Sequence, residues 1–200
     1  MPTSPAPSVR HLWVLRHGKA ASDAPWGGSD RERPLTARGR RDATALGSAL
    51  TEDPPFGMTG VPAPQRAVCS SAVRTRQTAR LVVEAMGVPV PLESLRALYG
   101  ADVDTLLGRV REIDERADSA LLVGHNPGVF ELVYELVAPA GDGGPEPDGS
   151  GGDRTGTAGQ RLEAHGFPTC ALAVVGLDVD DWATAGPGCG QLLGLFKPPY

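Results

Sequence analysis

The stretch "LWVLRHGKA", residues 12–20, joins a run of apolar residues to three residues of very different chemistry. Its first four residues predict a buried β-strand, and Arg16, His17 and Gly18 follow directly. A cation and an imidazole are uncommon in the interior of a protein, where the end of a buried strand would place them. The end of this strand is therefore a candidate functional site, and its partners have to be sought further along the chain.

The composition is that of a globular protein without extreme charge. Two hundred residues suit a single domain, 40 % of them are hydrophobic, and the formal net charge of −5 argues against non-specific binding of nucleic acid. Residues 1–10 predict a disordered Pro/Ser arm, and no apolar run is long enough to span a membrane. Three cysteines without a C-x-x-C pattern favour a reducing compartment, so we expect a cytoplasmic protein without structural zinc.

Four segments have the apolar spacing of amphipathic helices. The first is expected to follow a cap at Thr36, and the second a cap at Ser70 or Ser71. The fourth is expected to have Asn126 as its cap and Pro127 in its first turn. The apolar positions of the four segments are Ala43, Leu46 and Leu50; Thr78, Leu81, Val82, Ala85 and Met86; Val103, Leu106, Leu107, Val110 and Ile113; and Val129, Leu132, Val133 and Leu136.

Short apolar runs alternate with these helices. They lie at residues 11–15, 66–69, 120–124, 171–177 and 191–196. This alternation is typical of a largely parallel sheet that is covered by helices on both faces. We therefore predict a single α/β domain over residues 11–200, with three α/β/α layers and a mostly parallel central sheet.

Residues 139–160 interrupt this pattern. Half of them are glycine or proline, and few are apolar. Such a segment buries too little apolar surface to offset the entropy lost on ordering. It predicts a flexible loop within the domain rather than a second domain.

Three motifs share one position in the predicted sheet, the point where a strand ends. Arg16, His17 and Gly18 follow the first strand, Arg74 lies in the first turn of the second helix, and His125 follows a later strand. Ligands bind open α/β sheets at the carboxyl ends of the parallel strands. We therefore expect these side chains to converge there.

The converging side chains suit a phosphoryl group. Guanidinium forks match phosphate oxygens, and Gly18 allows a close approach to the backbone. No cluster of carboxylates for a magnesium ion accompanies them, so we expect a site without metal or cofactor. Because neutral imidazole is a competent nucleophile, His17 is expected to take the phosphoryl group. Arg16, Arg74 and His125 are available to stabilise its charge.

The same motifs resemble those of the histidine phosphatase (phosphoglycerate mutase-like) superfamily. The resemblance rests on R-H-G, "SSAVRTRQT" and "VGHNPG", and it spans roughly residues 11–138. It implies a phosphoglycerate mutase-like fold and a hydrolase in which His17 is phosphorylated during turnover. It also implies that Arg16, Arg74 and His125 hold the phosphate.

Two further motifs resemble the small SixA-type phosphohistidine phosphatases of this superfamily. They are "RPLTARG" at residues 33–39 and "LRALYGAD" at residues 95–102. Arg33 belongs to the first motif, and it either contacts substrate or supports its loop. The resemblance implies a phosphorylated protein as the partner, or else a small phosphorylated metabolite. The net charge and the lack of a long apolar run lead us to expect neither nucleic acid nor a membrane as a partner.

One departure from the superfamily bears on the substrate. Many relatives carry a general-acid glutamate in a Leu-x-Glu stretch before a glycine, whereas "LRALYG" here has no carboxylate. An alkoxide leaving group needs a proton from such an acid. Imidazole is a better leaving group, so this departure favours phosphohistidine as the substrate. The carboxylates that could still act as the acid are Glu93, Asp102 and Asp104.

Two alternatives stay open at this point. A small-molecule phosphomonoesterase of the same superfamily would use the same mechanism. A non-catalytic module could bind a phosphorylated partner without hydrolysing it, although binding alone would not require the imidazole of His17.

Overall fold

The computed structural model describes residues 9–138 and 166–200, which contain six strands and four α-helices. The strands are β1 (Val9–Arg16), β2 (Arg66–Ser70), β3 (Leu92–Leu95), β4 (Ser119–Gly124), β5 (Leu172–Asp178) and β6 (Gly190–Phe196). The helices are α1 (Ala37–Ala49), α2 (Val73–Met86), α3 (Val103–Val110) and α4 (Gly128–Val137). The predicted loop at residues 139–160 and most of the predicted arm lie outside the described residues, and β1 begins at Val9.

The strands form one sheet in the order β3-β2-β4-β1-β5-β6. The first four strands of this order are parallel to one another, and β5 and β6 add antiparallel pairings at one side. The predicted α/β fold with a mostly parallel sheet is thereby confirmed. In the register of the sheet, Arg16 of β1 lies opposite Gly124 of β4. His17 and His125 therefore leave adjacent strands at the same level.

Both faces of the sheet are covered, as the alternation of strand and helix predicts. Leu12 and Val14 of β1 pack with α3 and α4, whereas Trp13 and Leu15 pack with α1 and α2 on the other side. All four side chains are fully buried. Burial of each such side chain stabilises the fold by about 1.5–3 kcal/mol, so β1 is a rigid support for the residues that follow it.

The start of one helix is confirmed and the starts of two others differ from prediction. Thr36 caps α1 by accepting a hydrogen bond of 3.1 Å from the Gly39 amide. Helix α2 follows Ala72 without a side-chain cap, so the prediction of a serine cap is wrong. Helix α4 also lacks a side-chain cap: its N-cap residue is Pro127, and the Asn126 amide group donates to the Phe167 carbonyl oxygen at 3.0 Å.

The short edge strand β3 is absent from the sequence prediction. Its residues are "LESL", and the first three are exposed. Such a segment has no run of apolar residues that periodicity could detect. Among the described residues, no helix has the length and apolar character needed to cross a membrane.

Candidate active site

The structure brings the three predicted motifs together at the carboxyl edge of the parallel strands. The ring centroids of His17 and His125 lie 5.1 Å apart, with the ring planes inclined at 62°. The Arg74 Nη2 atom lies 3.4 Å from Nδ1 of His125. Two imidazoles and a guanidinium from three different elements therefore surround one small volume.

His17 is oriented by the backbone next to it. Its Nδ1 lies 2.8 Å from the Gly18 carbonyl oxygen, which can only accept a hydrogen bond. In the neutral ring Nδ1 must therefore carry the proton, and Nε2 keeps a free lone pair. Burial lowers the pKa of His17 to about 4; the bond to Gly18 opposes this shift, and the charge of Arg74 adds to it. His17 is thus neutral and nucleophilic at neutral pH.

Gly18 has a packing role that the sequence did not reveal. Its amide donates a hydrogen bond of 3.0 Å to Oγ1 of Thr78 in α2. A Cβ atom at this position would lie 2.8 Å from the Gly39 carbonyl oxygen at the start of α1. The absent side chain therefore lets α1 approach β1, and contact of Gly18 with substrate stays a prediction.

Arg74 is held deep in the site by Asp30. Only 5 % of Arg74 is exposed, although it carries a full positive charge. Its Nη1 donates to the main-chain oxygen of Asp30 at 2.7 Å, and its Nη2 donates to Oδ2 of the same residue at 2.8 Å. The Arg74 Nε atom is buried and has no hydrogen-bond partner among the described residues.

Arg16, at the end of β1, also has a buried Nε atom without a hydrogen-bond partner among the described residues. Its Nη1 donates to the Phe167 carbonyl oxygen at 2.8 Å. Buried polar groups are almost always paired, so an unpaired donor needs an explanation. Two unpaired guanidinium N–H groups beside His17 suit an oxyanion, which accepts strong, charge-assisted hydrogen bonds.

His125 is also neutral, with the opposite tautomer. A guanidinium cannot accept a hydrogen bond, so Nδ1 of His125 is the acceptor for Arg74. The ring proton then lies on Nε2, which donates to Oγ of Ser70 at 2.8 Å. This bond explains why Ser70 does not cap α2. The pKa of His125 is lowered to about 3, chiefly by burial, with smaller contributions from the proximity of His17 and Arg74.

Asp30 and Tyr99 are site residues that the sequence prediction missed. Asp30 begins a 3₁₀ turn (Asp30–Glu32), and Ser29 and Glu32 form a capping box that shapes this turn. The Tyr99 hydroxyl donates to Oδ2 of Asp30 at 2.8 Å, and this bond lowers the pKa of Asp30 to about 2, with Arg74 adding to the shift. The Ser-x-x-Glu pattern could have revealed the turn, but nothing local indicates its contact with Arg74.

Arg33 contacts the loop that carries Asp30. Its Nε lies 2.8 Å from Oδ1 of Asp30, and its Nη1 donates to the Ala21 carbonyl oxygen at 2.9 Å. Of the two roles that the sequence left open for Arg33, substrate contact and support of its loop, these contacts favour support of the loop. Contact of Arg33 with substrate stays a prediction.

The three candidate acids lie in other surroundings. Asp102 caps α3 by accepting a hydrogen bond of 2.9 Å from the Thr105 amide. Asp104 is exposed on α3, and Glu93 lines a groove with Asp114 at the amino end of the parallel strands. No contact among the described residues links any of the three to His17. Over residues 9–138 and 166–200, no group of three or more His, Cys, Asp or Glu residues could hold a metal ion.

Comparison with known proteins identifies the family. Residues 12–127 match the sequence model of the Histidine phosphatase superfamily (branch 1). The chain therefore belongs to this superfamily, and it is a phosphatase.

Within the superfamily the similarity is to SixA-type proteins, which confirms the resemblance seen in the sequence. A structure named "Putative Phosphohistidine Phosphatase SixA" from Nakamurella multipartitia is 30 % identical, with a TM-score of 0.72 over 98 % of this chain and 100 % of that chain. A protein histidine phosphatase SixA complexed with tungstate is 26 % identical, with a TM-score of 0.64 over 94 % and 97 %. An uncharacterised protein of Mycobacterium tuberculosis is 30 % identical over 184 residues, which are 92 % of this chain and 99 % of that protein.

Proposed function

We propose that this phosphatase removes the phosphoryl group from phosphohistidine in proteins, through a covalent intermediate on His17. The observation that carries the proposal is the arrangement around His17. A neutral ring with a free Nε2 lies beside two arginines whose buried Nε–H groups have no acceptor among the described residues. The names of the two SixA-type structures support phosphohistidine as the substrate.

The first step is an attack by the lone pair of His17 Nε2 on phosphorus. The bond from phosphorus to the leaving group breaks, and its electron pair stays with the leaving group. Arg16 and Arg74 stabilise the charge on the phosphoryl oxygens. The proton stays on Nδ1 of His17, which continues to donate its hydrogen bond to the Gly18 carbonyl oxygen, and this bond stabilises the positive charge of the phosphorylated ring.

The second step is hydrolysis of this intermediate. The oxygen of a water molecule attacks phosphorus, and the bond between phosphorus and Nε2 breaks. The electron pair of that bond returns to Nε2, and the proton released by the water passes to phosphate or solvent. His17 is then neutral again and ready for another cycle.

The carboxylate of Asp30 supports a P–N substrate over a phosphate ester of an alcohol. The pKa of Asp30 is lowered to about 2 by its bonds to Tyr99 and Arg74, so at neutral pH it has no proton to give to a leaving group. A leaving imidazole needs less protonation than an alkoxide does. The site is therefore suited to a leaving group that departs without a strong acid.

The test compares wild type with His17→Ala on a histidine-phosphorylated protein and on an aryl phosphate. We expect wild type to release phosphate from both and the variant to lose at least about 10³-fold in rate. Rapid acid-free quenching during turnover should leave the phosphoryl label on His17, as mapped by mass spectrometry. Equal rates for both proteins, or a label on another residue, would remove the proposal.

A second candidate, a small-molecule phosphomonoesterase, is favoured by the burial of His17. Only 9 % of His17 is exposed, and a small phosphate ester enters such a recess more easily than a histidine carried on the surface of a protein does. The ratio of kcat/KM for a phosphohistidine protein to that for phosphate monoesters separates the two candidates. A ratio well below one would favour the small-molecule enzyme.

A further inference from the structure

We propose that Asp30 is a positioning residue, which grips one end of the Arg74 guanidinium so that its other edge faces the phosphoryl group. The inference rests on the proposed function, since it takes Arg74 as a phosphate-holding residue. It adds a carboxylate from outside the three motifs to the machinery of the site.

The guanidinium group of arginine is planar, and its N–H donors point in fixed directions within that plane. Its plane offers two pairs of donors, one formed by Nη1 and Nη2 and the other by Nε and Nη2. Asp30 occupies the first pair with its main-chain oxygen at 2.7 Å and its Oδ2 at 2.8 Å. In the second pair, Nη2 also donates to Nδ1 of His125 at 3.4 Å, while the buried Nε has no partner among the described residues. Phosphate can therefore bind to Arg74 while Asp30 stays in place.

Asp30 is itself held firmly enough to act as a fixed support. Its carboxylate accepts a hydrogen bond from Tyr99 and pairs with Arg33, and the capping box of Ser29 and Glu32 shapes its turn. The Tyr99 ring lies edge-on to His125, with ring centroids 5.6 Å apart. One carboxylate thus links the support of Arg74 to the packing of the second imidazole.

The positioning matters because of burial and charge. A free arginine side chain has several rotatable bonds, and immobilising it at the moment of binding costs entropy. Arg74 is almost fully buried in a site that also holds Arg16, and a neighbouring carboxylate offsets this accumulation of positive charge. Asp30 therefore supplies a pre-oriented guanidinium before substrate arrives.

The opposite interpretation is that Asp30 occupies the place of phosphate and competes with it. The two interpretations predict changes of opposite sign. If Asp30 competes, removal of its charge increases kcat/KM. If Asp30 positions Arg74, removal of its charge decreases kcat.

The experiment replaces Asp30 with asparagine, which keeps the shape and the main-chain carbonyl but removes the charge. On an aryl phosphate we expect kcat to fall about tenfold, because a charge-assisted contact to Arg74 is replaced by a neutral one, with a smaller change in KM. The conservative variant Asp30→Glu should recover part of the loss. An increase in kcat/KM for Asp30→Asn overturns the proposal.

A double-mutant cycle tests whether Asp30 acts through Arg74. Lysine at position 74 has no fork to orient, so in an Arg74→Lys background the change Asp30→Asn should lower kcat by less than about twofold. An equal loss in both backgrounds would show that Asp30 acts by another route and would overturn the proposal. If Asp30→Asn does not fold, Tyr99→Phe replaces it in the cycle: it removes one anchor of Asp30 but keeps the charge, so kcat should fall by less than about tenfold in the Arg74 background and stay unchanged in the Arg74→Lys background.

Asp114→Asn is the matched control. Asp114 also pairs with two arginines, Arg66 and Arg116, but at the far edge of the sheet. The activity of Asp114→Asn should equal that of wild type. A loss of kcat as large as that of Asp30→Asn would contradict a specific role for Asp30. Failure of the proposed function is recognised separately, because His17→Ala would then remain active. Failure of this inference alone would leave activity dependent on His17 and insensitive to Asp30→Asn.

Discussion

Asp30 and Asp114 form similar ion-pair clusters at opposite edges of the same sheet. Each carboxylate pairs with two arginines, and each has a pKa lowered to about 2. For Asp30 the hydrogen bond from Tyr99 is the largest cause, whereas for Asp114 it is the hydrogen bond from Arg116. Charge and pKa alone therefore do not distinguish the two clusters.

The burial of the arginines does distinguish them. The Arg74 side chain is 7 % exposed, whereas those of Arg66 and Arg116 at the other edge are 37 % and 83 % exposed. Exposed ion pairs contribute little to stability and are screened by salt. Of the two clusters, only that of Asp30, in which Arg74 is buried although the Asp30 side chain is 51 % exposed, combines an unpaired guanidinium N–H with two neutral imidazoles. A carboxylate that pairs with arginines thus becomes informative about function only together with the burial of its partners.

The largest expected effect tests this difference through the arginines themselves. Arg74→Ala removes the side chain that we propose donates to the phosphoryl oxygens, so we expect a loss of about 10²–10³-fold in kcat/KM on an aryl phosphate. Arg66→Ala removes an ion pair of the other edge and should leave kcat/KM unchanged. Steady-state kinetics of both variants measures the contrast, and similar losses in the two would abolish the distinction between the edges.

A fall in pH should destabilise the folded protein through its two buried imidazoles. The pKa of His17 is lowered to about 4 and that of His125 to about 3, from 6.5 in the unfolded chain. Between pH 6.5 and 4 the unfolded chain binds more protons than the folded one, so stability falls as the pH falls. At pH 5 we expect each imidazole to contribute a loss of about 2 kcal/mol relative to pH 7.

Urea unfolding at pH 7 and pH 5 measures this loss. The variant His17→Ala should show a smaller difference between the two pH values than wild type does. Asp30 and Asp114 stay ionised over this range and serve as a constant background. A pH dependence that His17→Ala leaves unaltered would contradict the shifted pKa of His17.

The smallest expected effects concern two glycines in helices. A Cβ atom on Gly39, at the start of α1 near the site, would lie 2.3 Å from the Lys19 carbonyl oxygen, whereas a Cβ on Gly108 in α3 has open space. Gly39→Ala should therefore destabilise the fold by about 1–3 kcal/mol, and Gly108→Ala should stabilise it by up to about 1 kcal/mol. Thermal unfolding of the two variants checks this contrast, which equal shifts of Tm would refute.

Local pattern was sufficient for much of this fold and for the first partners of the site. The strand at residues 11–15 and the motif around His125 both place a histidine after a buried apolar run, and parallel strands bring such ends together. The similarity of "VGHNPG" and "SSAVRTRQT" to family motifs added the remaining positions. These features are readable because each is contained in a few consecutive residues.

The features that were missed depend on contacts between distant parts of the chain. Asp30 contacts Arg74, which lies 44 positions further along the chain. Asn126 does not cap α4 and instead donates to Phe167, which lies 41 positions further along. No periodicity or cap rule contains such information, because the energy lies in a partner that only the tertiary fold supplies. The edge strand β3 was missed for a different reason, since its exposed residues need no apolar pattern.

Because β1 and β4 are the central strands of the sheet, the parts of the site should unfold in a definite order. The backbone amides of central strands exchange with solvent only through global opening, whereas loops open at a much smaller free-energy cost. The two imidazoles follow these central strands, while Asp30 lies in a loop. Gentle denaturation should therefore separate Asp30 from Arg74 first and leave the two histidine-bearing strand ends protected until the whole domain unfolds.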